Sequence, residues 1–411
     1  MLKGCRALDL TDQNGYLCGK ILADLGADVI KVERPGGDPG RNTGPFWHDD
    51  PDPERSLYWF AYNTNKRGIT LNIESVDGRN VFRDLVKTAD FVIEAFPPGY
   101  LDGLGLGYAA LCEIKKGIIL TSITPFGQTG PYSGYKASDI VVTGMAGILY
   151  QNGQPDRPPV NMSLPQACLL AGGDAAVGTM IAYYHREQTG EGQHVDVSMQ
   201  QSAAWFQANA VPMFELAQTI LRRAGAARSG TSRDDAGQRQ MWECRDGYVF
   251  FVVIGGRQGA KSLSGLVQWM DSEGKATDFL RGIDWDTFDM WKTTREVITQ
   301  INGPVAEFFK LHTKAELLAG ATKRRISICP LSTMQDLVTD PNLQERRFWT
   351  EIAHSELNVR LPYPGQFIRS SVTSLATKTR APLIGEHNAE VYAGIGLSKE
   401  QLVALRQSGA I

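Results

Sequence analysis

Two periods of apolar and polar positions alternate along the first third of the chain. Arg6–Leu10 is an apolar run of strand length, Gly15–Leu25 spaces small and apolar residues as a helix does, and Ala27–Val32 returns to a strand pattern. The rhythm continues with a strand at Ile69–Ile73, a helix at Gly78–Lys87 and a strand at Phe91–Ala95. A helix at Tyr108–Lys115 and a strand at Ile118–Ile123 follow. Strands that alternate with helices in this way predict a parallel sheet with crossover helices. Gly173 to Met199 then reads as a helix rich in small residues (Gly173, Ala175, Ala176, Gly178, Ala182), a Thr189–Gly192 turn, and a strand. Val195, Val197 and Met199 share one face of that strand. The expected fold class is α/β, with a doubly wound, Rossmann-like large domain.

The pattern changes further on. A helix over Gln200–Ala224 leads into a polar, linker-like stretch, Ala226–Arg239. Gln240–Cys244 and Tyr248–Ile254 flank Arg245-Asp246-Gly247 as the arms of a hairpin, and Gly259–Leu318 is mostly helical. Arg325–Cys329 reads as a return strand, and Ser398 as the N-cap of a final helix. The division expected is a large domain over 1–224, a small α+β domain with linkers over 225–330, and a return to the large domain with C-terminal helices over 331–411.

Composition narrows the function. The 411 residues are 42% hydrophobic and 21% charged, with a formal net charge of −3. That balance suits a globular protein with a sizeable core and argues against a nucleic-acid or membrane-surface role, which favours a basic face. The N-terminal MLKGCRALDL has no signal-peptide h-region, and six cysteines lie far apart without a CxxC pair. A cytoplasmic enzyme with free thiols is the expectation.

Few motifs carry chemistry alone. Gly103–Gly107 (GLGLG) lacks the strand–turn–helix context of a dinucleotide fingerprint, and the six histidines show no metal-ligand spacing, so no metal is expected. Lys66 and Arg67 in NKRG, Arg34 and Lys136 put cations in candidate site loops, where charge-assisted bonds to phosphate are possible.

Six ordered segments together are similar to the class III coenzyme A-transferase family, which includes formyl-CoA transferase, carnitine CoA-transferase and α-methylacyl-CoA racemase. They are LADLGADVIKVERPGGDPGR (22–41), NKRGITLNI (65–73), PPGYLDGLGLGYAAL (97–111), SITPFGQTGPY (122–132), TGEGQHVDVSMQ (189–200) and GEHNAEVYAGIGLSKEQLVALRQSGAI (385–411). The resemblance implies two ring-like subunits threaded through each other as an interlocked dimer. It implies coenzyme A and acyl-CoA as substrates and no covalently bound cofactor. It also implies an aspartate that attacks the acyl-CoA, giving a mixed anhydride and then an aspartyl-CoA thioester. Family positions that bind CoA fall on Gln13, Arg34 and Lys136, joined here by Lys66 and Arg67, and the glycine loop that closes over the intermediate falls on Gly255 and Gly256.

The chain departs from that pattern at the centre of the chemistry. Counting back about twenty residues from Thr189 lands on Gln166-Ala167-Cys168, and no Asp or Glu occurs from Asn161 to Gly173. Asp174 comes about two helical turns too late. Ala95-Phe96-Pro97-Pro98-Gly99 and Gly103 replace further polar residues of the relatives. The resemblance is therefore strongest to the heteromeric branch that moves CoA from succinyl-CoA to an acid such as benzylsuccinate, in which one subunit lacks the aspartate. The expected partner is a homologous catalytic subunit, in a heterodimer or heterotetramer. Two alternatives stand beside this expectation. One is a self-sufficient homodimeric racemase or transferase using another residue, although Ser122–Tyr132 holds no His for racemase chemistry. The other is a non-catalytic acyl-CoA-binding protein.

Overall fold

The computed structural model describes residues 1–228, 237–373, 375 and 377–411, so the middle of the linker-like stretch, 229–236, lies outside the described residues. The chain forms two compact units. One comprises Met1–Ala146, Met162–Phe206 and Pro341–Ile411; the other comprises Gly147–Asn161 and Gln207–Asp340.

The large unit is built on six parallel strands: β1 (Arg6–Leu10), β2 (Asp28–Glu33), β3 (Arg67–Thr70), β4 (Phe91–Glu94), β5 (Ile119–Thr124) and β6 (His194–Ser198). Their order in the sheet is β3-β2-β1-β4-β5-β6. Every residue of β4 and β5 is buried, as befits central strands covered on both faces. Four helices matter here: α1 (Tyr16–Asp24), α2 (Val76–Thr88), α3 (Tyr108–Ile114) and α4 (Gln166–Thr189). Ser75 caps α2 by accepting from the Gly78 amide, and Val81, Phe82, Leu85 and Val86 form its buried stripe. These elements match the periodic reading to within a few residues.

The differences have local causes. β3 stops at Thr70 because the next backbone donor after Leu71, the Asn72 amide, bonds to Ala410 instead of continuing the ladder. The edge of β3 is covered from the same region of the chain. The His387 amide donates to the Gly68 carbonyl, and the Asn388 side chain accepts from the Thr70 amide at 2.9 Å. Helix α4 begins at Gln166, seven residues before the small-residue run, directly after Pro165. The expected helix over 200–224 is broken into Met199–Trp205 and Ala210–Ala217. Pro212 explains the restart: inside one long helix it would remove a hydrogen bond and clash, whereas a first turn tolerates it.

Small residues let α4 pack closely. A Cβ on Gly172 would lie 2.9 Å from the Leu17 side chain of α1, and one on Gly178 would lie 2.9 Å from Val195 of β6. Gly190 ends the helix with φ +76, the left-handed cap that glycine takes without strain. By length and composition α4 resembles a membrane span, yet its small-residue face is buried.

The second unit holds a three-stranded antiparallel sheet in the order Ile328–Pro330, Gly247–Phe251, Met241–Cys244. The hairpin is where the sequence pattern placed it; the return strand starts at Ile328, three residues later than expected, because Arg325 still caps the preceding helix in the left-handed conformation. Its core is aromatic, with Trp242, Phe251 and Phe309 in edge-to-face contact.

The Gly192 position gives a stability test. A Cβ there would lie 1.9 Å from the Ile118 carbonyl oxygen, which is backbone and cannot swing aside. Gly192→Ala is expected to destabilise the large unit by about 1–3 kcal/mol, read as a lower midpoint in thermal or urea unfolding.

Candidate functional site

Strand order reverses between β1 and β4, and such a switch point leaves a crevice outside the carboxyl ends of the strands. A cavity of about 450 Å³ opens there. Its walls come from the segments that leave β1, β2, β3 and β4, including Asp12, Arg34, Asn72, Phe96 and Tyr100. Arg34 stands exposed at this cavity and forms no ion pair among the described residues. Its charge remains available for an anionic ligand. Gln13 is exposed on the neighbouring turn, which is closed by the Gly15 and Tyr16 amides on the Asp12 carbonyl.

Lys66 and Arg67 are differently placed, and this corrects their reading as ligand-facing cations. Lys66 is 2% exposed. Its ammonium donates to Asp9 Oδ2 at 2.8 Å, to Asn63 Oδ1 at 2.9 Å and to the Tyr16 carbonyl at 3.0 Å. A phosphate could reach it only by displacing the core. Arg67 folds back to Asp28 at the first residue of β2, at 2.6 Å, and also pairs with Glu390. The NKRG cations hold the sheet together.

A second group of side chains gathers at the head of α4. Of Gln166, Ala167 and Cys168, only Cys168 faces the Asp12–Gly15 turn: its thiol donates to Asn14 Oδ1 at 3.4 Å. Ala167 is sealed in the core, and the Gln166 amide turns back to Leu164. Asp174, six residues further along the helix, is exposed. At 3.6 residues per turn it is rotated by about 240° from Cys168. It cannot substitute for a group at the helix head.

A carboxylate does reach that head, from elsewhere in the chain. Asp139 Oδ1 accepts the Cys168 amide at 3.1 Å, satisfying one of the orphan donors of the first helical turn. Asp12 completes the cluster through Asn14, whose amide donates to Asp12 Oδ1 at 2.9 Å. Burial pushes the Cys168 thiol well above its usual range, and the Asp139 and Asp12 charges push it further. Burial likewise raises the phenols of Tyr58 and Tyr62, which stand near Cys168. The thiol is therefore protonated at neutral pH, and a protonated thiol is a poor nucleophile. Asp139 was not apparent from spacing because it lies 29 residues before Cys168. The signal available was Ser138-Asp139 ahead of the apolar Ile140–Val142, which marks a helix start. Lys136 is exposed three residues earlier, on the same approach.

In the second unit, Gly255 and Gly256 form a tight bend. A Cβ on Gly255 would lie 2.3 Å from the Phe288 carbonyl, and the Gly256 amide donates to Trp285. Gly256 has φ +66 and starts the helix Gly256–Ser272. Both positions require glycine.

A doubly wound sheet with a cavity at its switch point defines a Rossmann-like α/β scaffold. The chain belongs to CoA-transferase family III, whose profile matches residues 2–388. It is 34% identical over 413 residues to the BbsE subunit of succinyl-CoA:(R)-benzylsuccinate CoA-transferase from Thauera aromatica, covering 99% of this chain and 97% of that one. Formyl-CoA:oxalate CoA-transferase from Streptomyces coelicolor is 31% identical, over 100% of this chain and 99% of the relative. The crystal structure of a CAIB/BAIF family protein from Brucella suis superposes with a TM-score of 0.81 at 30% identity, covering 96% of this chain and 99% of that one. Membership supports CoA-transferase activity, with CoA and acyl-CoA as substrates.

Two outcomes follow from the geometry. A maleimide at neutral pH should label the exposed Cys329 and leave the buried Cys168 unmodified, as peptide mass mapping would read. Lys66→Ala should destabilise the large unit by about 3–5 kcal/mol, because it strips a partner from the buried Asp9. Arg34→Ala should leave the unfolding midpoint nearly unchanged.

Proposed function

We propose that this chain is the non-catalytic subunit of a heteromeric class III CoA-transferase. The assembly would move CoA from an acyl-CoA donor, succinyl-CoA, to an organic acid such as benzylsuccinate. A homologous subunit carries the nucleophilic aspartate, and the two chains interlock as a heterodimer or heterotetramer. The observation that carries this reading is the head of α4. Where the family resemblance places a carboxylate, this chain has Gln166-Ala167-Cys168; of these only Cys168 faces the Asp12–Gly15 turn, and its surroundings keep the thiol protonated. A thiol also cannot form the mixed anhydride through which a carboxylate passes the CoA group on.

Two features support the assembly and the ligand. Helix α4 leaves Val177, Ile181 and Tyr184 at 59%, 65% and 70% exposure, an apolar stripe at i, i+4 and i+7 opposite its packed face. A homologous chain would cover it. Gln13, Arg34 and Lys136 remain exposed donors in segments that lead to the cavity or to the α4 head, as CoA contacts require. Gly255 and Gly256 form the loop this subunit lends to the assembly.

Purified alone, the chain should transfer no CoA between succinyl-CoA and benzylsuccinate, and co-expression with an aspartate-bearing homologue should restore turnover. Ile181→Lys should abolish co-purification of the two chains while leaving the fold intact by circular dichroism. Full activity of the lone chain would overturn the reading.

A further inference from the structure

The large unit holds a second and larger hollow, which shares no lining residue with the cavity at the switch point. Its volume is about 760 Å³, within the range of ~300–1,000 Å³ typical of ligand pockets. One wall is the turn that ends the helix Pro341–Glu345. There the Arg347 amide donates to the Gln344 carbonyl at 2.8 Å, and the Phe348 amide to the Leu343 carbonyl at 2.9 Å. The other wall follows the strand Val359–Pro364 and runs from Gln366 to Thr373. In it the Ser370 hydroxyl oxygen accepts the Val372 and Thr373 amides, each at 3.3 Å. The Gly365 amide ties the walls together by donating to the Phe348 carbonyl at 2.6 Å. Only glycine allows that approach, since a Cβ there would lie 2.5 Å from the same oxygen.

Three arginines line this hollow, Arg346 and Arg347 from the first wall and Arg369 from the second. All three are exposed, and among the described residues their guanidiniums have no carboxylate, carbonyl or ring partner. By contrast, Arg41, Arg67, Arg186 and Arg380 of the same unit each pair with a carboxylate. Glu345 is the one acidic side chain among the lining residues, and it pairs with none of the three arginines. Arg347 also takes φ +49, a conformation in which glycine or asparagine is less strained. Like charges around a concave surface focus a positive field and draw in an anion. A single carboxylate matches one guanidinium fork. A diphosphate has oxygens enough for forks from both walls and for the Ser370, Ser371 and Thr373 hydroxyls. We propose that this hollow is a binding site for a small molecule carrying a diphosphate, separate from the cavity at the switch point.

The test is isothermal titration of the full chain with sodium pyrophosphate at neutral pH, where saturable binding is expected. The double variant Arg346→Ala, Arg369→Ala should weaken it by about tenfold or more, because charge-assisted contacts from both walls are lost. Arg360→Ala removes one positive charge from an exposed pair with Glu351, outside the hollow, and should leave the affinity unchanged. All of these side chains are exposed, so the variants should keep the wild-type circular dichroism spectrum. Malonate, with two carboxylates on a similar span, should bind about tenfold more weakly than pyrophosphate, having fewer oxygens to offer the forks. Absence of pyrophosphate binding, wild-type affinity in the double variant, or equal weakening by Arg360→Ala overturns the proposal. Equal affinity for malonate overturns the diphosphate assignment. Binding by the lone chain that vanishes in an assembly with a homologous chain also overturns it, since the arginines then serve an acidic segment of that chain. ADP titrated beside pyrophosphate separates the two sources of a diphosphate: tighter binding of ADP supports an esterified ligand, and tighter binding of pyrophosphate supports the free ion.

Discussion

The large unit is organised around a charge buried in its sheet. Asp9 on β1 is fully buried, with Lys66 at 2.8 Å and Lys31 at 3.8 Å. Burial alone would raise its carboxyl, but the two lysines outweigh burial and hold it below the usual range. The same carboxylate accepts both the amide and the hydroxyl of Thr11, while Lys31 donates to the Thr11 carbonyl. The first residue of the turn after β1 is therefore clamped from three sides. That turn carries Asp12, Gln13 and Asn14, and Asn14 receives the Cys168 thiol. Gly19 on α1 is part of the same device, since a Cβ there would lie 2.1 Å from Asp9 Oδ2. A buried charge network of this kind contributes little net stability and a great deal of geometric definition.

Helix α4 joins the scaffold to the chemistry. Its small residues face inward, so a 24-residue helix lies close against α1 and the sheet. Its first turn then presents unpaired amides beside the Asp12–Gly15 turn. A side chain at that point sits in the field of the helix terminus, where a carboxylate is favoured. Here Asp139 approaches from outside the helix and takes one of those amides. A further carboxylate at position 168 would face Asp139 and Asp12 together.

The sheet was legible because burial on both faces writes continuous apolar runs into β1, β2, β4 and β5, and crossover helices impose a second period between them. The hairpin and the Ser398 cap were legible for a similar reason, each being set by residues a few positions apart. What escaped the sequence was non-local. Lys66 beside Arg67 resembles a solvated basic turn, and nothing in NKRG reveals that Asp9, 57 residues earlier, waits beneath it. Asp139 likewise acquires its place only when two helices meet. The split of the 200–224 helix was written locally, in Pro212, and its breaking effect outweighs the apolar periodicity around it.

The covering of β3 bears on how the protein comes into being. Gly68 and His387, 319 residues apart, are bonded to each other, and Asn72 is bonded to Ala410. Between these partners lies the chain of the second unit. During synthesis the early strands therefore emerge with one sheet edge bare, while the second unit can already gather its own local contacts. The large unit begins first and closes last. For that interval the β3 edge is unpaired, the condition in which a strand edge is most open to wrong pairing.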